Sequence, residues 1–164
     1  MQVRRVVTGH KGDRSTFVSD GPADVMPLGP GGEAFAIWAR DDTASFPDDG
    51  TAPETAGAPF PPVGGCRMLV LRLAAGESQA FDQFVTEGLA EFADPSQPGM
   101  HRTASLDFDI VLSGSVVLQL DDGEVELHAG DIVVQNGTRH RWENRGTEDA
   151  VMAVAIVGAE QAPG

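Results

Sequence analysis

Cysteine is almost absent. The 164 residues contain one, Cys66, which excludes an intramolecular disulfide framework and any zinc site built on several thiolates. The fold must therefore be held by burial, and Cys66 itself reads as an inert buried thiol with no activator nearby. Positive charge is scarce as well: 11 Lys and Arg stand against 25 Asp and Glu, for a formal charge of -14. Such a field repels phosphate backbones and anionic headgroups, so neither nucleic acid nor a membrane is an expected partner. Long apolar runs are missing too. The longest, Val151 to Ala159, is far shorter than the roughly 18 residues a membrane-spanning helix needs. The N-terminus sets Arg4 and Arg5 where an export signal carries its apolar core and turns polar again at Thr8, so the expected location is the cytoplasm.

Helical periodicity is also scarce, and β-branched runs punctuated by Gly, Pro, Asp and Asn take its place, the pattern of an all-β sandwich or barrel. With 41% hydrophobic and 22% charged residues, the chain has ordinary globular composition and room for about one domain. One domain over 1–164 is expected, its motif-bearing core at about 100–157. Strands are predicted over Arg4–Val7, Thr16–Ser19, Ala34–Arg40, Met68–Leu73, Leu106–Leu112, Val116–Leu120, Val125–His128, Ile132–Gln135, His140–Asn144 and Ala150–Val157. Asp121-Asp122-Gly123 reads as a hairpin turn. A short helix is predicted over Thr86–Phe92, and Gly158 to Gly164 as a frayed tail. The segment 41–65 holds Pro47, Pro53, Pro59, Pro61 and Pro62 with four glycines; it reads as an irregular loop, either a solvated connector or an extended wrap or lid.

Chemistry is concentrated around two of the four histidines. From His101 the chain runs His-Arg-Thr-Ala-Ser-Leu-Asp-Phe-Asp-Ile-Val-Leu-Ser-Gly to Gly114, and from Gly130 it runs Gly-Asp-Ile-Val-Val-Gln-Asn-Gly-Thr-Arg-His-Arg-Trp-Glu-Asn to Asn144. Residues two apart on a strand face one side of a sheet, so positions 101, 103, 105, 107 and 109 can share a barrel interior, and a second strand can bring His140 across to them. His10 and His128 sit in turn-like surroundings and read as surface positions.

These two segments resemble the paired motifs of the cupins, and more narrowly the small cupins that carry His-Arg-Thr and Leu-Asp-Phe or Leu-Asp-Tyr in the first motif. His101, Asp107 and Gly114 take the first-motif places of His, Glu and Gly, with Thr103 where that family has a second histidine. Gly130, Gly137, His140 and Asn144 take the second-motif places, with Gln135 where proline is usual. The resemblance implies an all-β double-stranded β-helix, or jelly-roll barrel, with the N-terminal strands extending a sheet or exchanging with a second subunit of a homodimer. It also implies one divalent metal ion per chain (Fe, Zn, Mn or Ni) held by His101, Asp107 and His140. Two histidines and one carboxylate leave coordination positions open for substrate. Asp109 then becomes a candidate catalytic base and Gln135 a residue orienting a substrate oxygen or a ligand histidine. Thr103 and Trp142 become candidate pocket walls. Arg102 and Arg139 flank inward positions and are expected to point outward; they and Arg141 are lesser candidates for the barrel mouth.

The function expected on this basis is a metal-dependent enzyme acting on a small oxygenated organic molecule by lyase, dehydratase or isomerase chemistry. The alternatives are an Fe(II) dioxygenase, a non-catalytic barrel that binds a small ligand, and metal-free acid-base catalysis by a His and Asp pair.

Overall fold

The computed structural model describes residues 1–29, 31–55, 57–76, 85 and 89–161. Eleven strands organise them: β1 (Arg4–Lys11), β2 (Arg14–Pro22), β3 (Asp24–Pro27), β4 (Gly32–Arg40), β5 (Cys66–Leu73), β6 (Ser105–Ser113), β7 (Ser115–Gln119), β8 (Glu124–His128), β9 (Ile132–Asn136), β10 (Arg141–Glu143) and β11 (Ala150–Gly158). A six-stranded sheet of order β3-β4-β5-β11-β6-β9 faces a three-stranded sheet of order β10-β7-β8, and β1 and β2 form a separate hairpin. The pairings within these sheets are antiparallel. The all-β barrel expected from the sequence is what forms.

The core lies between the two larger sheets, where Val116, Leu118 and Trp142 from one meet Leu73, Val111, Met152, Val154 and Ile156 from the other. Alternation decides these faces. Along β11 the side chains of Met152, Val154 and Ile156 point inward to this core, while Ala153 packs on the opposite side of the same ribbon and is also covered. Asn144 closes the end of the small sheet onto β5: its Nδ2 donates to the carbonyls of Leu73 and Glu148, both at 2.9 Å, and its Oδ1 accepts from the Gly146 amide at 2.9 Å. These three bonds all go to backbone groups, so this motif residue ties the end of the small sheet to β5 and to its own turn.

Several local expectations need correction. Strand β3 went unread because Pro22 and Pro27 bracket it, yet as the edge of the large sheet it can tolerate a proline at its end. The N-terminal hairpin does not extend the large sheet; it pairs only with itself and leans on the irregular segment through the His10 amide to the Asp48 carbonyl at 2.8 Å. Thr86 to Gly88 of the predicted helix lie outside the described residues, and 89–92 form turns. The tail does not fray from Gly158: the Gly158 amide donates to the Gly65 carbonyl at 3.0 Å and that of Ala159 to the Ala104 carbonyl at 2.9 Å.

The Pro-rich segment 41–65 is neither a free connector nor detached from the barrel. Its backbone presses so closely on β11 that a Cβ built on Gly158 would stand 1.9 Å from the Pro62 carbonyl oxygen. Gly158→Ala must therefore displace either the strand end or the loop, and is expected to cost about 2 kcal/mol or more. Gly123→Ala, in a turn where an added methyl meets nothing within 4 Å, is expected to stay within about 0.5 kcal/mol of the parent. Urea unfolding midpoints of the two variants compare them directly, and an unaffected Gly158→Ala would show that the loop does not rest on the strand.

Candidate functional site

Strand β6 reverses the usual alternation. Its inward positions carry Ser105, Asp107 and Asp109 before Val111, each buried, while Phe108 is exposed. Sequence order alone puts the polar residues on one face; the pairing of β6 between β11 and β9 turns that face to the interior. Keeping carboxyl groups there costs desolvation energy, so the arrangement calls for a function.

The face opens on a cavity of about 530 Å³. Asp107, Asp109, His140 and Trp142 line its inner end, and Trp38, Phe60, Leu69, Leu71, Val85 and Ile156 are among the apolar groups of its walls. Burial pushes the Asp107 carboxyl above the usual range, against the pull of a hydrogen bond from Ser105. Its Oδ1 is buried and has no hydrogen-bond partner. Asp109 is pushed up to about 7, first by burial and then by the neighbouring charge of Asp107.

The two motif histidines meet through a short antiparallel bridge in which each amide donates to the other's carbonyl, at 3.0 and 2.9 Å. Their rings lie 4.3 Å apart at 50°. His101 Nδ1 stands 3.0 Å from the Gly99 carbonyl and His140 Nδ1 2.9 Å from that of Thr138. A carbonyl can only accept, so in each neutral ring Nδ1 carries the proton and Nε2 keeps its lone pair. Both rings are held neutral. Burial lowers His101 despite the Gly99 carbonyl, and burial with the adjacent His101 pushes His140 down to about 3.

The sequence-predicted site residues thus separate into groups. Asp107, Asp109, His140 and Trp142 converge on the cavity, with the indole edge-on to His140 at 6.2 Å. His101 stands behind His140 and does not line it. Gln135 is buried but acts through the turn below His140: its Oε1 accepts from the Thr138 hydroxyl at 2.8 Å, and the Thr138 carbonyl holds His140. Gly137 gives that turn its shape with φ of +58°, and a Cβ there would come within 3.0 Å of the Thr103 carbonyl oxygen. Thr103 is not a wall of the main cavity. It pairs with the Ser105 hydroxyl at 2.8 Å and lines a smaller cavity of about 280 Å³ on another side. Arg102 is exposed as expected, whereas Arg139 is only partly so because Asp94 and Asp121 hold it, at 2.6 and 2.8 Å. Cys66 is half-buried, and His10 and His128 are exposed.

The ligand set expected for a divalent ion is not assembled. Among the described residues no group of three or more His, Cys, Asp or Glu side chains is placed to hold a metal. The two imidazoles are adjacent, but Asp107 lies further along β6, beside Asp109 and supported by Ser105, and the place where the first motif's second histidine would add a ligand carries the Thr103 hydroxyl. As placed, the residues do not fit a three-ligand ion.

Residues outside the motifs complete the site. Arg67 occupies an inward position on β5 and is buried. One terminal nitrogen donates to the carbonyls of Arg40 and Cys66 at 2.7 and 3.0 Å; the other meets Asp41 at 2.6 Å and the Ala58 carbonyl at 3.2 Å. It thereby fastens the segment 41–65, whose Ala58, Pro59 and Phe60 form part of the cavity wall. Phe60 in turn packs edge-on against Phe92, with ring centroids 4.7 Å apart. Two arginines interrupt the apolar run Cys66–Leu73; Arg72 pairs with Glu33 and Asp149, and Arg67, just past the Pro-rich segment, was the available signal for this role.

A family model described as Cupin domain matches residues 89–157. Phomopsin biosynthesis cluster protein C' of Diaporthe leptostromiformis is 53% identical over 47 residues, 28% of this chain and 25% of that protein. The cupin-domain-containing oxidoreductase fogC of Aspergillus ruber is 40% identical over 57 residues, 34% of this chain and 28% of that protein. The chain therefore spans about a quarter of the length of the curated relatives it matches. Among solved structures, the cupin domain of Schizosaccharomyces pombe Cnp3 superposes with a TM-score of 0.51 at 8% identity, covering 96% of this chain and 87% of that one. That likeness concerns the fold alone.

The buried groups give stability a definite pH dependence. Between the ordinary carboxylate value of 3.8 and about 7 the folded chain keeps a proton on Asp109 that the unfolded chain has released, so this group removes stability as pH rises. His140 acts in the opposite sense: between about 3 and 6.5 the unfolded chain binds a proton that the folded chain does not, so this group adds stability as pH rises. In urea unfolding, the stability of Asp109→Asn minus that of the parent is expected to grow by on the order of 4 kcal/mol from pH 4 to pH 7.5. For His140→Gln the same difference is expected to fall between pH 3 and 6.5. A flat difference for Asp109→Asn would mean that its carboxyl titrates normally.

Proposed function

We propose, for a chain that carries a cupin domain over residues 89–157 and folds as a cupin barrel, that the barrel cavity is the active site of a small-molecule enzyme working by proton transfer. The carrying observation is the pair Asp107 and Asp109, buried on one face of β6 and lining an apolar cavity that a neutral His140 also lines. Where two carboxyls share so confined a place, one favours the ionised and the other the protonated form. The pair can then act as base and acid in one step.

On a substrate with a carbonyl, the ionised carboxyl takes the proton from the adjacent carbon while the protonated one gives its proton to the carbonyl oxygen. The product is the enol and the pair has exchanged states, with no net oxidation. Return of a proton to a different carbon gives isomerisation. Where the next carbon bears a hydroxyl, its departure as water gives dehydration. His140, whose Nε2 is an acceptor, takes a hydrogen bond from a substrate hydroxyl and fixes the ring or chain against the carboxyls. Trp142 and the strap residue Phe60 keep water from the reacting carbon.

A second reading, an oxidoreductase, is favoured by the similarity to cupin-domain-containing oxidoreductases such as fogC. The two are separated by experiment. With a panel of aromatic and polycyclic hydroxy-ketones in deuterium oxide, the protein is expected to place deuterium next to the carbonyl, read by proton NMR, and Asp109→Asn to slow this about 100-fold or more. Substrate-dependent oxygen uptake without exchange, together with about one metal ion per chain that is lost in His140→Ala by plasma mass spectrometry, would replace the proton-transfer reading with the second.

A further inference from the structure

We infer that the cavity takes an uncharged aromatic or polycyclic molecule that enters hydroxyl first, and that it discriminates against carboxylates and phosphates. The inference rests on the cavity being the substrate site, as proposed above, and adds the chemistry of what it selects.

The first observation is the inner end, where acceptor atoms outnumber donors. Asp107 and Asp109 present carboxyl oxygens, one of them the unpartnered and buried Asp107 Oδ1. His140 presents only Nε2, because its Nδ1 is committed to the Thr138 carbonyl. A hydroxyl on the ligand donates to Asp107 Oδ1 or His140 Nε2 and can accept from the carboxyl that keeps its proton, whereas a carboxylate brings acceptors only, and a charge like that of the ionised carboxyl.

The second observation is the treatment of the cation. Arg67 reaches the cavity, yet both of its terminal nitrogens are engaged, on Asp41 and on the carbonyls of Arg40, Ala58 and Cys66. An anion that recruited it would have to compete with Asp41 and loosen the strap that forms the wall. The formal charge of -14 works in the same direction at long range.

The third is the wall. Trp38, Trp142 and Phe60 offer flat aromatic surfaces, with aliphatic side chains between them, and these favour a planar hydrocarbon skeleton over a flexible polar one. They also decide between a hydroxyl and an ammonium. An ammonium would be drawn to the carboxyls but would leave its water behind on entering an apolar cavity, and an ion pair formed at that cost gains little over a neutral hydrogen bond. The volume of about 530 Å³ is in the ordinary range for a small organic ligand.

The test is calorimetric titration of the full chain with four probes sharing one ring system: 2-naphthol, naphthalene, 2-naphthoate and 2-naphthylmethylamine. Naphthol is expected to bind about tenfold or more tightly than each of the other three. In the double variant Asp107→Asn, Asp109→Asn the gap between naphthol and naphthoate is expected to narrow to about threefold or less, since the inner end is then neutral and offers amide donors. If that variant does not fold, His140→Phe is expected to weaken naphthol about threefold or more relative to naphthalene, because one of the acceptors for the hydroxyl is lost; an unchanged ratio overturns the inference. Naphthoate or naphthylmethylamine binding as tightly as naphthol in the parent overturns the inference, as does an unchanged gap in a folded double variant. Binding is read here without turnover. Selective naphthol binding with no proton exchange on any panel member rejects the enzyme reading alone, whereas exchange on a carboxylate-bearing substrate with no selectivity for naphthol rejects this inference alone.

Discussion

Strand β6 lies between β11 and β9 in the six-stranded sheet, hydrogen-bonded along both edges, and its register cannot slip without exchanging its two faces. That constraint sets the site. With Ser105, Asp107 and Asp109 turned inward and Phe108 turned out, the barrel interior holds carboxyl groups against an apolar core that includes Val111, Met152 and Val154. The same desolvation that opposes this placement raises both carboxyls, and it keeps His101 and His140 neutral across the same interior. One strand's register therefore decides the protonation states of the cavity.

Much of this was legible in the sequence because its cause is local. Alternation predicts that 101, 103, 105, 107 and 109 can share a side, and the spacing of Gly130, Gly137, His140 and Asn144, through its resemblance to the second cupin motif, predicts that His140 is brought across to them. The rest depended on distances that spacing does not encode. Thr103 is buried but lines a different cavity, beyond the point where the chain bridges at His101 to His140, just ahead of β10, and before β6 begins. His101 and His140 meet as expected, and their Nδ1 partners, the carbonyls of Gly99 and Thr138, leave each Nε2 lone pair free, but the position of Asp107 further along β6 keeps the three from forming one ligand set. Arg67, Trp38 and Phe60 carry no motif. Their contribution arises from long-range packing of β4, β5 and an irregular segment onto the barrel, and a propensity argument has no access to it.

The irregular segment shows how a chain without disulfides holds a proline-rich wall in place. Prolines restrict the unfolded backbone and so lower the entropy lost on ordering the strap. Arg67 then supplies hydrogen bonds to carbonyls that lie on either side of the strap's two ends, Arg40 and Cys66, and to Ala58 within it. A buried ion pair of this kind is weak evidence for stability in itself. Its effect is positional: it ties the start of the strap at Asp41 and its middle at Ala58 to one side chain on β5. The cation that the cavity would otherwise present is consumed by the wall.

Thr103 can be understood from the same electrostatics. An imidazole at that place would have added a third nitrogen ligand beside His101 and His140. The hydroxyl instead pairs with Ser105 at 2.8 Å, and Ser105 supports the Asp107 carboxyl, the sequence of contacts running inward along one face of the chain. Hydroxyls can donate and accept at once, so such a row passes polarisation from the smaller cavity toward the carboxyl pair. A histidine held neutral by burial would offer Asp107 either a donor or a lone pair, according to its tautomer. The threonine and serine adapt to either state of the carboxyl as its proton is gained and lost. A threonine at this place therefore suits the proposed proton transfer on the carboxyls of β6, in which His140 serves as a neutral acceptor.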